Sequence, residues 1–200
     1  MPGGAADDAA TMRRALRLPA ALIAAVLLAA ALIVAPAAAG EAEDRAALDQ
    51  LFAQLRLAPD AETAHRIDQQ IWIHWTTPSD PVLAARMSDV LEARRAGDVT
   101  AAIEMLDRLV ADFPDYAEGW NQRATLHYMT SNFDASLADI DTVLRLEPRH
   151  FGALSGRALI YLQQGKRALA VKDMAAALQV HPFLNERFLF PELAQDVTRI

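Results

Sequence analysis

The sequence predicts an all-α protein, a solenoid of three like helix-turn-helix units, preceded by a helical hairpin and followed by a short cap. Three observations carry that expectation. Pro114, Pro148 and Pro182 recur at a fixed interval of 34 residues, each just after an apolar stripe at helical spacing. Small residues keep the same time, Ala124 and Ser136 in one interval, Ala158 and Ala170 in the next. Gly97 and Gly165 stand between the two halves of their intervals, where a left-handed residue ends a helix at little cost. With 53% apolar and 22% charged residues over 200 positions, the chain has material for a core.

The first element is an apolar leader. Residues 12–40, MRRALRLPAALIAAVLLAAALIVAPAAAG, have a basic start at Arg13, Arg14 and Arg17, then an uncharged run from Ala20 to Ala35. Ala37-Ala38-Ala39 supplies a small-residue cleavage pattern. Residues 1–39 therefore read as an export signal cut after Ala39, and Met12 is a better start for it than the acidic stretch before. Kept uncut, the run is an anchor in the inner membrane, although its 16 residues fall short of the roughly 20 a spanning helix needs. The expected location is the periplasm, free or anchored. Lipid anchoring needs a cysteine at the cleavage point, and the chain has none.

Charge and cysteine content narrow the function. The formal net charge is -7, and losing residues 1–39 removes three Arg and two Asp, leaving -8. Nucleic acid is a poor partner for such a chain, because its binding needs clustered positive charge. The absence of Cys excludes disulfides, thiol catalysis and zinc-thiolate sites.

Next comes a hairpin, residues 41–77, broken at Pro59 and outside the 34-residue frame. Asp60 is a good N-cap for its second helix. Ile67, Ile71, Trp72 and Trp75 are expected to cover the first unit, since an open stack exposes apolar surface at its end. TTPSDPV, with Pro78 and Pro81, is a short stiff connection.

The three units span residues 83–184, divided 83–116, 117–150 and 151–184. The second has Trp120 at position 4, Ala124 at 8, Ser136 at 20, Ile140 at 24 and Pro148 at 32. The third has Leu154, Ala158, Ala170, Met174 and Pro182 at the same places, and the first has Val90, Ala102, Leu106 and Pro114. Small residues at 8 and 20 let two antiparallel helices approach closely. In the middle unit Ser131-Asn132 replaces the glycine, and Asn is the next-best residue for that conformation. Each proline then stops a second helix, because it lacks an N–H and restricts the residue before it. After Pro182, residues 185–200 are expected to form a short capping helix, with Phe183, Phe188 and Phe190 sealing the last unit.

This pattern resembles the tetratricopeptide repeat (TPR), and EGWNQRATLHY with LEPRHFGALSG is similar to small exported TPR proteins of Gram-negative bacteria. The resemblance implies a groove that binds protein segments, lined by the first helix of each unit. Its places hold Met87, Leu91, Arg94 and Arg95 in the first unit and Asn121, Thr125, Tyr128 and Met129 in the second. In the third they hold Ser155, Leu159, Leu162 and Gln163. A family subtype clamps a terminal carboxylate, but Met87, Leu91, Gly152 and Gly156 occupy those places, so that clamp is absent. Asp89, Arg123 and Arg157 stand where the family prefers Leu, and Arg86 replaces an aromatic. Salt bridges from Arg123 to Asp139 and from Arg157 to Asp173 are expected.

Enzyme signatures are missing. GALSG sets Ser155 one place late for a nucleophile elbow. QQGKRA lacks the first glycine of a phosphate loop. His65, His74, His127, His150 and His181 have no metal-ligand spacing. The expectation is a non-catalytic scaffold with no cofactor and no metal, whose partner is a protein or peptide segment. A second reading is a membrane-tethered assembly factor that makes its contacts through the Trp- and Phe-rich flanks.

Overall fold

A computed structural model describes residues 43–193; residues 1–42, which include the expected export signal and the entry to the hairpin, and residues 194–200 lie outside the described residues. The chain is an all-α solenoid. Its helices are α1 (residues 43–56), α2 (Ala61–Thr76), α3 (Pro81–Arg95), α4 (Val99–Asp112), α5 (Ala117–Met129), α6 (Phe133–Leu146), α7 (Phe151–Gln163) and α8 (Arg167–Val180). Two 3₁₀ turns, Asn185–Leu189 and Pro191–Leu193, follow. No strand occurs among the described residues, and none of their helices is long and apolar enough to cross a membrane.

The periodic residues fix both ends of every hairpin. Between its two helices each unit closes with the same double bond: Gly97 N–H to Arg94 O and Asp98 N–H to Ala93 O, then Ser131 to Tyr128 and Asn132 to His127, then Gly165 to Leu162 and Lys166 to Tyr161. This left-handed cap satisfies carbonyls that a helix end leaves free. Gly97 and Gly165 adopt φ of 78° and 71°, and in the middle unit Ser131 takes the conformation at 61°. Asn132, to which the sequence reading gave that role, is instead the N-cap of α6 at φ -84°.

At the other end the prolines occupy the second place of a tight turn. Tyr116 N–H bonds Phe113 O at 3.1 Å, His150 bonds Glu147 O at 3.1 Å and Leu184 bonds His181 O at 3.3 Å. Phe113, Glu147 and His181 precede the prolines and have left the helical backbone, with ψ of 66°, 93° and 90°. A following proline disfavours helical backbone at that residue.

Small residues bring the helices of a unit together. Ala124, Ser136, Ala158 and Ala170 are buried, and the Ser136 hydroxyl donates to Ala124 O at 2.8 Å across α5 and α6. Between units, Gly119 does the same work. A Cβ there would lie 2.5 Å from a Leu109 methyl, so an alanine would force that side chain to move where α4 meets α5. Trp120 is half-buried between two core clusters and beneath the Arg123 guanidinium, 4.9 Å from its ring.

Arg123 and Arg157 form the expected pairs and more. Arg123 grips Asp139 with Nε and Nη2 at 2.8 and 2.7 Å, and reaches back to Asp107 at 2.7 Å. Arg157 repeats this one unit later with Asp173 (2.7 and 3.0 Å) and Asp141 (2.8 Å). Each arginine thus ties three helices, and Asp141 reaches Arg157 in the next unit. The two forked pairs are largely sheltered from water, where such geometry is strongest.

Two expectations about the flanks need correction. The α1–α2 hairpin does not lie over the first unit. It packs along the row of proline turns. Leu51, Phe52, Leu55, Ala64, Ile67 and Ile71 share a core with Phe151, edged by Trp75, Val180, Phe183 and Leu184. Trp75 stacks on His150 with centroids 4.0 Å apart and planes at 8°, and the Tyr116 hydroxyl donates to the Trp75 carbonyl. Arg149 reaches Asp49 at 2.6 Å and covers Phe52 at 4.3 Å. The first unit needs no cover, because its outer face is polar. Glu92 stands where the later units bury Leu126 and Ile160, and Asp89 stands in place of the clamping arginine.

At the far end, 3₁₀ turns replace the expected capping helix, since Pro182 and Pro191 leave too short an interval for one. Phe190 is fully buried against α7 and α8, and Phe183 sits against the hairpin. Phe188 seals nothing, being 74% exposed. Arg167 holds the cap by a fork on Glu192 (2.9 and 2.7 Å) and a bond to Leu189 O at 3.0 Å.

Candidate functional site

The first helices of the units, α3, α5 and α7, set equivalent side chains in rows, so one position per unit defines a line across the stack. Docking of the hairpin divides these rows. It takes the N-terminal ends of α5 and α7, where Tyr116, His150 and Phe151 meet Trp75.

Behind that contact lies a buried polar cluster that the sequence reading missed. Glu118 is buried, and its carboxylate accepts from the Gln122 amide, from Asn121 Nδ2 at 3.1 Å and from His150 at 3.0 Å. The histidine tautomer follows from its neighbours. Nδ1 accepts the Ala153 N–H at 3.1 Å, so Nε2 carries the proton donated to Glu118 Oε2. Arg94 donates to Gln122. Burial lowers the Arg94 pKa, against the charge of Glu118, which favours the cation. Burial, then the same carboxylate, pushes the Tyr116 phenol up. No buried side-chain polar atom among the described residues lacks a partner. The cluster is closed, and it fixes the angle between two units and the hairpin. The periodic signal that marks it is position 34, where Tyr116, His150 and Leu184 are bulky in all three units.

The residues expected to line a groove divide accordingly. Met87 is fully buried, because Leu83, Met87 and Val90 fall on one stripe facing α4, so it offers no contact surface. Ser155 is also buried, and its hydroxyl donates back to Gly152 O at 3.2 Å. Asn121 serves Glu118, and Thr125 donates to the Asn121 carbonyl at 2.9 Å.

The remaining residues gather in the C-terminal halves of the same helices, beyond the hairpin's reach. Leu91, Thr125 and Leu159 form one half-exposed row. Arg95, Met129 and Gln163 form a second, exposed row, with Met129 61% accessible. Arg94, Tyr128 and Leu162 lie alongside, half-buried. Gln163 donates to the Tyr128 hydroxyl at 2.8 Å, linking the strip across two units. Cationic, aromatic, thioether and aliphatic groups thus follow one another along an open surface. Such a strip offers contact area. Among the described residues no group of three or more His, Asp or Glu is placed to hold a metal. A cleft of about 590 Å³ opens on the first unit between Arg86, Asp89, Met105 and Arg108, near the place that an aromatic fills in the second unit.

Comparison with known proteins agrees with the repeat geometry. A family model described as tetratricopeptide repeat matches residues 90–138 and 122–184. A TPR repeat-containing protein of Rhizobium etli is 39% identical over 135 residues, covering 68% of this chain and 66% of the relative. The chain therefore spans just under two thirds of that relative's length. With three hairpins of one period, capped and turned by the same residues, the chain belongs to the tetratricopeptide repeat family.

Proposed function

We propose that the protein is a non-catalytic adaptor of the cell envelope, exported to the periplasm, that holds a segment of another protein along the open strip. Repeats of this family suggest protein–protein interaction, and the strip is the part of the repeat surface that the hairpin leaves accessible. One observation carries the assignment. The exposed row Arg95, Met129 and Gln163 runs through all three units beside Tyr128, on the side away from the α1–α2 contact. Methionine and tyrosine are adaptable contact residues. A formal net charge of -7 speaks against nucleic acid. The leader sequence and the absence of cysteine support export.

The strip is short and must order a flexible segment, so affinity is expected to be modest. The test is photocrosslinking in cells. A crosslinking residue at Met129 should trap a protein that the same residue at Thr100, an exposed site on α4, does not. Met129→Glu should remove the product trapped from Gln163. Equal products from positions 129 and 100 would refute the strip as the binding surface.

A further inference from the structure

Arg94 connects the strip to the seat of the hairpin. Its Nη1 donates to Gln122 Oε1, Gln122 Nε2 donates to Glu118 Oε1, and His150 Nε2 donates to Glu118 Oε2 at 3.0 Å. Trp75 of α2 stacks on His150, with 4.0 Å between centroids and 8° between planes. A continuous series of contacts thus runs from the hairpin to a cation on the strip. Its three middle members, His150, Glu118 and Gln122, are buried, so the bonds between them are shielded from solvent.

The direction of every bond in the series is fixed. The Ala153 N–H occupies His150 Nδ1 at 3.1 Å, so Nε2 is the donor. The Glu118 carboxylate only accepts, so the Gln122 amide turns its NH₂ to Glu118 and its oxygen to Arg94. Reversing that amide would set two acceptors face to face at Glu118 and two donors at Arg94. None of the arginine's nitrogens is both buried and unpaired, so those not bonded to Gln122 open to solvent. Arg94 is therefore held from below and free to donate from above.

We infer that Trp75, His150, Glu118 and Gln122 are positioning residues for Arg94, and that the seated hairpin thereby sets how well the strip binds. The held guanidinium meets an oxygen acceptor of the bound segment without first having to be ordered. When Trp75 leaves, His150 opens to water and its bond to Glu118 exchanges with solvent. The hold on Gln122, and through it on Arg94, loosens in turn. A loose arginine has rotamer entropy that binding must remove, so the strip grips less well. Linkage works both ways, and a segment that engages the held Arg94 stabilises the seated hairpin by the same factor. This control presupposes that the strip is the binding surface.

Modification of arginines by phenylglyoxal, followed on the full chain by peptide mass spectrometry, tests the hold. Trp75→Ala should raise the rate at Arg94 several-fold and leave Arg95, its exposed neighbour, unchanged. Trp75→Phe, which keeps a ring for His150 to stack on, should stay near the natural rate. In Gln122→Met, similar in length but unable to make either bond, Arg94 should already react fast, and adding Trp75→Ala should raise it no further. Arg86, paired with Asp112, and Arg123, forked on Asp139, should keep their natural rates, showing that both units stay folded. Where Gln122→Met frees them, Gln122→Asn, too short to span both bonds, takes its place. An Arg94 rate unmoved by Trp75→Ala overturns the inference. So does an equal rise in the Gln122→Met background, which would mean general loosening. With a crosslinking residue at Met129, Trp75→Ala should lower the trapped product several-fold. An equal yield with Arg94 freed overturns the control and leaves the adaptor standing, whereas no product even from the natural chain removes the adaptor itself.

Discussion

At the scale of single residues, the repeat shows where one side chain is tolerated against its preference. Gly97, Ser131 and Gly165 occupy one place in three units, all with positive φ. For serine the Cβ crowds the carbonyl in that conformation, and glycine has no such cost. Ser131→Gly should therefore stabilise the protein by about 0.5–1 kcal/mol after the greater freedom of glycine in the unfolded chain is deducted. The measurement is the urea midpoint at constant m-value, and a lower midpoint would mean that the Ser131 side chain supplies an interaction the cap requires. The place was legible in the sequence as a period. The occupant was not, because the propensity of Asn for left-handed backbone drew attention one residue too far. Hydrogen-bond register decides it: Ser131 N–H bonds Tyr128 O and Asn132 N–H bonds His127 O, so residue 131 must turn.

Between elements, the period predicted order along the stack but not the seating of the hairpin. A 34-residue repeat says which hairpins are neighbours. It does not say which edge receives a non-repeating segment. The deciding residues were visible, with Glu92 spoiling the outer face of the first unit and Tyr116, His150 and Leu184 lining the turn edge, but the preference between two surfaces needed three dimensions. The candidate site was legible to the same degree. Leu91, Arg95, Tyr128, Met129 and Gln163 could be placed by position, whereas Met87 and Ser155 were lost to packing that periodicity does not register.

The hairpin's seat has a consequence for pH. His181, before the third proline, is buried, edge-on to Phe151 at 5.1 Å, with its Nδ1 accepting the Phe183 N–H at 3.3 Å. Burial, reinforced by the charges of Arg187 and His65, lowers its pKa from 6.5 to about 4. Between those values the unfolded chain binds the proton and the folded chain does not. Stability from this group is complete above about pH 6.5 and is lost as pH falls towards 4, by an amount on the order of 2 kcal/mol. His181→Phe should flatten the fall in melting temperature over that window. A slope unchanged in the variant would assign the acid sensitivity to other groups.

For the whole molecule, the question is whether a stack of three units unfolds as one body. In an open solenoid each unit touches only its neighbours, and stability is a sum of unit and interface contributions. The end units are then free to fray. The α1–α2 hairpin changes that connectivity, because Trp75 and its surroundings touch all three proline turns: Tyr116 in the first, Arg149 and His150 in the second, Phe183 and Leu184 in the third. It joins the first unit to the third without passing through the second. The first unit depends on this most, since its outer face is polar and Arg86 stands where Trp120 stands in the next unit. Trp75→Ala should cost about 2–3 kcal/mol, as for emptying a partly buried aromatic site. It should also separate transitions that coincide in the natural chain. In hydrogen exchange the amides of α3 and α4 should then open well before those of α7 and α8, while far-UV circular dichroism and the fluorescence of the remaining tryptophans report different midpoints. If the variant still melts in one coincident transition with uniform exchange, the Arg123 and Arg157 clamps suffice for cooperativity, and the hairpin is only a cover for the turn edge.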